Sequence, residues 1–236
     1  MHQSVVSVVI PAYNEEKTIG NVVSETISTM ETVGMPYEIV VVDDGSTDRT
    51  RRIATRYKAT VLSNGENRGK GYALRKGFQQ AQGDIIVTVD ADGAHKPKEI
   101  LNLINPLFNG VDIAAGSRFL GNGRKDSTSR LNRLGNILFN IIIMILTGKL
   151  ITDSQTGFRA FKKHVLQKIN LESTGYEIET ELTVKGLKNG FVVREVPICC
   201  EKRQSGKSRL RVLFDGFRIL RTILKANFSC RNNTTS

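Results

Sequence analysis

The sequence predicts an α/β fold in which helices cover both faces of a mostly parallel sheet. Along the first half of the 236 residues, short apolar, β-branched runs alternate with helical patterns. Three of those runs stop in polar, acidic clusters: Pro11–Glu16 (PAYNEE), Val41–Asp48 (VVDDGSTD) and Asp90–Gly93 (DADG). In open α/β sheets the carboxyl ends of the strands face the ligand crevice, so three such clusters point to one functional edge. A hydrophobic content of 39% and a charged content of 24% suit a globular protein with a sizeable core. No internal repeat or low-complexity linker divides the chain, so residues 1–236 read as a single domain, with 201–230 as a basic loop and amphipathic helix.

Taken in order, Val5–Ile10 reads as a strand, Glu16–Thr32 as a helix, Tyr37–Val42 as a strand and Thr47–Tyr57 as a helix. Thr60–Leu62 is a short strand, Lys70–Gln82 a helix and Ile85–Val89 a strand, the last being short, apolar and mostly β-branched. Lys98–Phe108 follows as a helix and Val111–Ala115 as a strand. The second half differs. Over 131–147, Leu131, Leu134, Leu138, Ile141, Ile142 and Ile145 mark one helical face, and Asn132, Asn136 and Asn140 mark another at spacing four. That segment reads either as a buried core helix or as an interfacial one. Near Ser208–Phe228 a last helix carries Leu210, Leu213, Phe214, Phe217, Leu220 and Leu224 on one side, with Arg211, Arg218, Arg221 and Lys225 around it. It reads as a membrane-surface helix or as a packed helix with a solvated basic face.

The net charge is +11, and residues 201–231 hold nine basic and two acidic residues, hence seven of those charges. Such a tail suits an anionic surface or a phosphorylated ligand. Nucleic acid is disfavoured as partner, because aromatic residues make up 6% of the chain and tryptophan is absent. No apolar stretch reaches the roughly 18 residues needed to span a bilayer, and the opening residues show no signal-peptide pattern. The three cysteines, two of them adjacent, suggest no disulfide framework or zinc site, so a reducing cytoplasmic compartment is expected.

Asp90 and Asp92 close a strand one residue apart, where their charges would repel unless a cation sat between them. The segments PAYNEE, VVDDGSTD, NRGKGYALRKG, DADGAH, GSR, DSQTGFRAF, EVPI and KRQSGKSRL occur in this order. With them the chain, over roughly residues 5–212, resembles the family 2 glycosyltransferases of GT-A fold. Within that family it is most similar to the dolichyl-phosphate mannose synthase branch and its archaeal relatives acting on polyprenyl phosphate. The resemblance implies a Rossmann-like three-layer α/β/α domain with a predominantly parallel mixed sheet, followed by C-terminal amphipathic helices. It implies transfer of a sugar from a nucleotide-diphosphate sugar to dolichyl or polyprenyl phosphate, assisted by Mn²⁺ or Mg²⁺, as an inverting reaction. Asp90 and Asp92 would hold the metal, which bridges the diphosphate and neutralises leaving-group charge. Some relatives carry Gln two positions after the second Asp; here that position is Ala94, leaving water or His95 to fill in.

By the same resemblance Pro11, Ala12, Tyr13 and Glu15 line the nucleobase and ribose, Asp44 hydrogen-bonds one of them, and Arg68 and Lys70 add charge from the Asn67–Gly71 loop. Arg203 and Lys207, around Ser205-Gly206, belong to a loop that closes over the diphosphate. A phosphate monoester acceptor is already largely dianionic near pH 7 and needs cations rather than a base. Arg118, Arg130 and Arg133 are the candidates, because a guanidinium fork can make two hydrogen bonds to phosphate. Asp153 would act as a base or position Arg133 or the acceptor. Arg159 is expected to pair with a carboxylate beneath the site, and Glu177 and Glu179 to be structural. The apolar helix at 131–147 and the basic tail would bring the domain to the anionic cytoplasmic face of the membrane as a peripheral protein. The alternative keeps the fold and replaces the lipid phosphate with a glycan hydroxyl.

Overall fold

A computed structural model describes residues 4–120, 130–201 and 212–229. The first half is the expected alternation. Strand β1 (Val6–Ala12) is followed by α1 (Ile19–Val33), β2 (Tyr37–Asp43), α2 (Thr50–Ala54), β3 (Thr60–Ser63), α3 (Lys70–Gln80) and β4 (Ile85–Thr88). After a 3₁₀ turn at Pro97–Glu99 come α4 (Ile100–Ile104), a second 3₁₀ segment (Asn105–Asn109) and β5 (Ile113–Ser117). The chain continues through α5 (Arg130–Thr147), β6 (Arg159–Lys162), α6 (His164–Lys168), α7 (Ile178–Lys188), β7 (Val193–Pro197) and α8 (Val212–Ser229).

The sheet order is β3-β2-β1-β4-β6-β5-β7. Among the described strands only β6 runs against its neighbours, pairing antiparallel with both β4 and β5. This is the predominantly parallel mixed sheet of the GT-A class. Strand β1 lies wholly buried, and its side chains alternate between two cores. Val6, Val8 and Ile10 pack with α1 and α4, whereas Val9 packs with α3 and α7 residues. Each fully buried Val, Leu or Ile contributes about 1.5–3 kcal/mol relative to exposure. A third cluster joins Ile143 of α5, Val184 of α7 and Ile219 and Ile223 of α8.

Two departures from the sequence reading have physical causes. The single helix expected over Lys98–Phe108 is broken into 3₁₀, α and 3₁₀ pieces, because Pro106 has no N–H to continue an α-helical ladder. The helix expected over Thr47–Tyr57 shrinks to Thr50–Ala54: Ser46 and Asp48 accept the Asn14 and Glu16 N–H groups of the facing loop, and Asp48 also accepts the Thr50 N–H where the helix starts. Of the two readings of α5, the outward one holds for most of its apolar face: Leu134, Leu138, Ile141 and Ile145 are 64%, 56%, 45% and 72% exposed, while Ile142 packs partly against the third cluster. The asparagine face points inward, with Asn136 and Asn140 buried. Helix α8 likewise exposes Phe214, Phe217 and Leu224 while burying Ile219 and Ile223. Among the described residues no helix is long and apolar enough to cross a membrane.

Candidate active site

Strands β2, β1 and β4 are neighbours, so their carboxyl ends bring the three clusters together. β1 runs on through Pro11 and Ala12, which pair in register with Val42 and Asp43. The loops beyond are tied to each other. Ser46 Oγ accepts the Asn14 N–H at 2.9 Å, and Asn14 Oδ1 accepts the Thr47 N–H at 2.8 Å. Asn14 adopts a positive φ of 54°, a conformation that asparagine tolerates better than most residues. Asp44 accepts from Asn64 Nδ2 at 2.6 Å, Arg68 N at 3.0 Å and Gly69 N at 2.8 Å, fixing the loop that leads into α3. Gly45 makes this possible: its φ is +73°, and a Cβ there would lie 2.3 Å from the Glu66 carbonyl carbon.

These loops enclose a cleft of about 350 Å³. Pro11, Ala12, Tyr13, Glu15, Asp44, Lys70, Asp90 and Asp92 all line it, which gathers eight of the sequence-derived candidates. Arg68 does not: its exposed guanidinium turns to Glu66 at 3.0 Å and to the Tyr72 hydroxyl at 3.0 Å. Among the wall residues that the sequence did not mark as site components are Tyr176, Phe214, Asp215 and Arg218. Arg218 donates to Thr174 Oγ1 and Glu177 Oε1, both at 2.8 Å, and so fastens α8 to the loop carrying Tyr176. No local sequence signal pairs residues more than forty positions apart.

The floor of the cleft is an ion cluster. Lys70 Nζ lies 2.6 Å from Asp90 Oδ1 and 2.7 Å from Glu179 Oε1. Burial works against the Lys70 ammonium, but the charges of Asp90 and Glu179 outweigh it and hold its pKa above the usual value. Burial also opposes the Asp90 charge, and Lys70 reverses that, with Arg118 adding to the lowering. Asp92 differs: burial and then the neighbouring Asp90 charge push its carboxyl up. Glu179 is raised by burial. His95 stacks on Phe158 with ring centroids 5.1 Å apart, and burial lowers its pKa, favouring neutral imidazole. Asp92 is thus a carboxylate whose charge a further cation would relieve. Among the described residues no three His, Cys, Asp or Glu side chains converge to hold a metal. Two carboxylates with substrate phosphate and water completing the shell is an arrangement typical of Mg²⁺, so Asp90 and Asp92 fit a divalent ion that arrives with a diphosphate.

Arg118 and Asp153 form a fork. Arg118 Nε donates to Asp153 Oδ2 at 2.7 Å and its terminal nitrogen donates to Oδ1 at 2.9 Å, while the Asp153 side chain is fully buried. The partner of Asp153 is therefore Arg118, not Arg133. Arg133 lies over the Phe119 ring, 5.5 Å from its centroid, as Arg118 does at 5.6 Å. The side chain of Arg130, and all of Arg203 and Lys207, lie outside the described residues. Arg159 corrects its expectation: its donors go to the carbonyls of Thr156 (2.8 Å) and Ser154 (2.7 Å) and to Thr183 Oγ1 (2.6 Å), not to a carboxylate. Glu177 accepts from Arg218 and the Gly175 N–H, while Glu179 sits directly on Lys70.

The family model described as glycosyl transferase family 2 matches residues 7–170. The chain belongs to this family. It is 33% identical over 228 residues to a dolichol-phosphate mannosyltransferase of Pyrococcus furiosus, covering 93% of this chain and 64% of that one. It therefore spans just under two thirds of the Pyrococcus protein. It is 31% identical over 248 residues to a UDP-N-acetylglucosamine–dolichyl-phosphate N-acetylglucosaminyltransferase of Methanococcus voltae, covering 95% and 96%. Among solved structures it superposes on glucosyl-3-phosphoglycerate synthase of Mycobacterium tuberculosis, crystallised with Mn²⁺, UDP-glucose and phosphoglyceric acid. That match has a TM-score of 0.73 and 25% identity, covering 95% of this chain and 80% of that one. The glycosyltransferase thus has the GT-A-like fold its motifs imply, and the Asp90/Asp92 cleft stands at the sheet edge where ligands bind in open α/β folds.

Proposed function

We propose that this glycosyltransferase moves a sugar from a nucleoside-diphosphate sugar to a polyprenyl phosphate, dolichyl phosphate included, at a membrane surface, with inversion at the anomeric carbon. The observation that carries the acceptor class is the Arg118–Asp153 fork. Asp153 is fully buried and gives both oxygens to Arg118, so it is poorly placed to take a proton from an acceptor hydroxyl. Arg118 instead offers positive charge close enough to Asp90 to lower its pKa. A phosphate monoester, already ionised, needs that charge and no base. The two relatives named for dolichyl-phosphate transfer support the same reading.

Pro11, Ala12, Tyr13, Glu15 and Asp44 bind the nucleoside. Lys70 keeps Asp90 ionised and fixed at the diphosphate end of the cleft. Asp90 and Asp92 would hold Mn²⁺ or Mg²⁺; such an ion neutralises charge on the departing nucleoside diphosphate. Arg118 and Arg133, with Arg130, draw the acceptor phosphate to the cleft despite the donor's own negative charge. Arg203 and Lys207 are proposed to cover the diphosphate. The acceptor oxygen attacks the anomeric carbon as the bond to the diphosphate breaks, and one displacement inverts that centre.

The outward apolar faces of α5 and α8 form the membrane contact. Ile145, Leu138, Phe217 and Phe214 are exposed on adjoining helices, and a surface helix with an apolar face settles into the headgroup boundary. The net charge of +11 favours an anionic leaflet, such as the cytoplasmic one.

The test is a donor screen with purified protein, polyprenyl phosphate and Mn²⁺ or Mg²⁺. UDP- and GDP-sugars are offered in turn, with EDTA and Asp92→Ala as controls. A lipid-phosphate sugar from one donor, lost in both controls, is expected. Nucleotide release without glycolipid would overturn the acceptor assignment.

A further inference from the structure

Helix α5 breaks the usual rule of amphipathic burial. Its apolar stripe faces outward, and two of its innermost residues are Asn136 and Asn140, 1% and 6% exposed. They sit one helical turn apart on one face. Burying amides is costly unless their hydrogen bonds are made, and here most are made with a single segment. Asn140 Nδ2 donates to the Thr152 carbonyl at 2.7 Å, and Asn140 Oδ1 accepts the Ser154 N–H at 3.3 Å. Asn136 Nδ2 reaches the Thr152 carbonyl and Asp153 Oδ1, each at 3.3 Å. From β7, Glu195 accepts the Thr152 N–H at 2.8 Å and the Asp153 N–H at 2.7 Å. The backbone at 152–154 is held from two sides, and its Asp153 carboxylate holds the Arg118 fork.

We infer that Asn136 and Asn140 are positioning residues for the acceptor: they clamp Thr152–Ser154 to the helix whose other face meets the lipid, so that Arg118 is held at a fixed place relative to the membrane-facing surface. This rests on the lipid-phosphate reading above. A lipid acceptor brings its phosphate to the protein from a surface, and a guanidinium with a fixed place relative to that surface needs little reorganisation to bind it. The asparagines act through Asp153 and Arg118 and touch no reacting atom. A purely structural role for the same bonds would lower stability and leave acceptor binding per folded molecule unchanged.

Asn136→Ala, Asn140→Ala and the milder Asn140→Ser separate these outcomes. KM for polyprenyl phosphate in vesicles should rise about tenfold in the alanine variants, while the dissociation constant for the nucleoside diphosphate stays within about twofold. The second readout needs no turnover. The ¹⁵N–¹H signal of Arg118 Nε, assigned through Arg118→Lys, should exchange slowly in the parent protein and measurably faster in the variants, because its buried acceptor has lost its support. Unchanged acceptor KM in folded variants, or an Arg118 signal as protected as the parent's, would overturn the clamp. If the parent protein glycosylates no polyprenyl phosphate, the acceptor reading falls by itself, and the Arg118 signal alone then decides whether the clamp exists.

Discussion

Replacing Lys70 by methionine keeps most of the side chain's length and removes the cation shared by Asp90 and Glu179. The two carboxylates differ in what they can do next. Asp90 is 25% exposed at the cleft and regains water, whereas Glu179 is 4% exposed and cannot. Breaking a buried ion pair from one side costs about 3–5 kcal/mol, and the opening at Asp90 places this case near about 3 kcal/mol. For a chain of this length each kcal/mol moves Tm by roughly 2–4 °C, so Lys70→Met should melt about 6–12 °C lower at pH 7.5. The sign with pH follows from Glu179. Its pKa is already raised by burial with Lys70 present, and without Lys70 it rises further. A carboxylate with a raised folded pKa binds more protons folded than unfolded, so the variant recovers stability as pH falls. Thermal unfolding followed by circular dichroism at pH 7.5 and pH 5 should show the deficit shrinking at pH 5. A deficit equal at both pH values, or none at pH 7.5, would refute the buried-cluster reasoning.

Other perturbations test separate parts of the site. Asp153→Asn should raise the acceptor KM and cost on the order of 3 kcal/mol of stability, since a buried charge partner of Arg118 is lost; a pH–rate profile that loses its basic-group limb while KM stays constant would instead make Asp153 the general base. His95 has a folded pKa below its ordinary 6.5 because of burial. The unfolded chain therefore takes up the proton first, and stability contributed by neutral His95 is lost as pH falls below about 6.5. His95→Phe, which can keep the stack on Phe158, should flatten the fall in Tm between pH 6.5 and 5, and an unaltered slope would exclude His95 as its source. Exchanging Ile145 and Phe217 together for serine should sharply reduce sedimentation with anionic liposomes at moderate salt; undiminished sedimentation would place the membrane contact elsewhere.

The three strand ends were legible because each signal is local: a β-branched run, a stop, and carboxylates beside glycine or proline. Once the order of strands made β2, β1 and β4 neighbours, the cleft followed. Strand β6 was not legible as a strand. It is four residues long, Arg159–Lys162, and its ladder partners lie far along the chain in β4 and β5. Periodicity divided α5 into an apolar and an asparagine face but carried no sign for which one turns inward; that is decided by the unpaired backbone of Thr152 and Ser154, which the asparagines satisfy. Partner choice among charges was equally hidden. Lys70, Asp90 and Glu179 come from three elements, and nothing in sequence links Asp153 to Arg118 rather than Arg133. The buried Arg159 shows the same limit, since carbonyl oxygens serve a guanidinium where a carboxylate was expected.

The proposed acceptor is a lipid phosphate bound by arginine, not a hydroxyl activated by a base. The most direct measurement offers the purified protein one productive nucleotide-sugar donor with two acceptors in competition: polyprenyl phosphate in vesicles and a panel of glycan hydroxyl acceptors. Label should pass to the lipid phosphate alone, in a product cleaved by mild acid, and Arg118→Ala should abolish the transfer while nucleotide binding persists. Label on a glycan hydroxyl, with polyprenyl phosphate left unmodified, would contradict the lipid-phosphate acceptor.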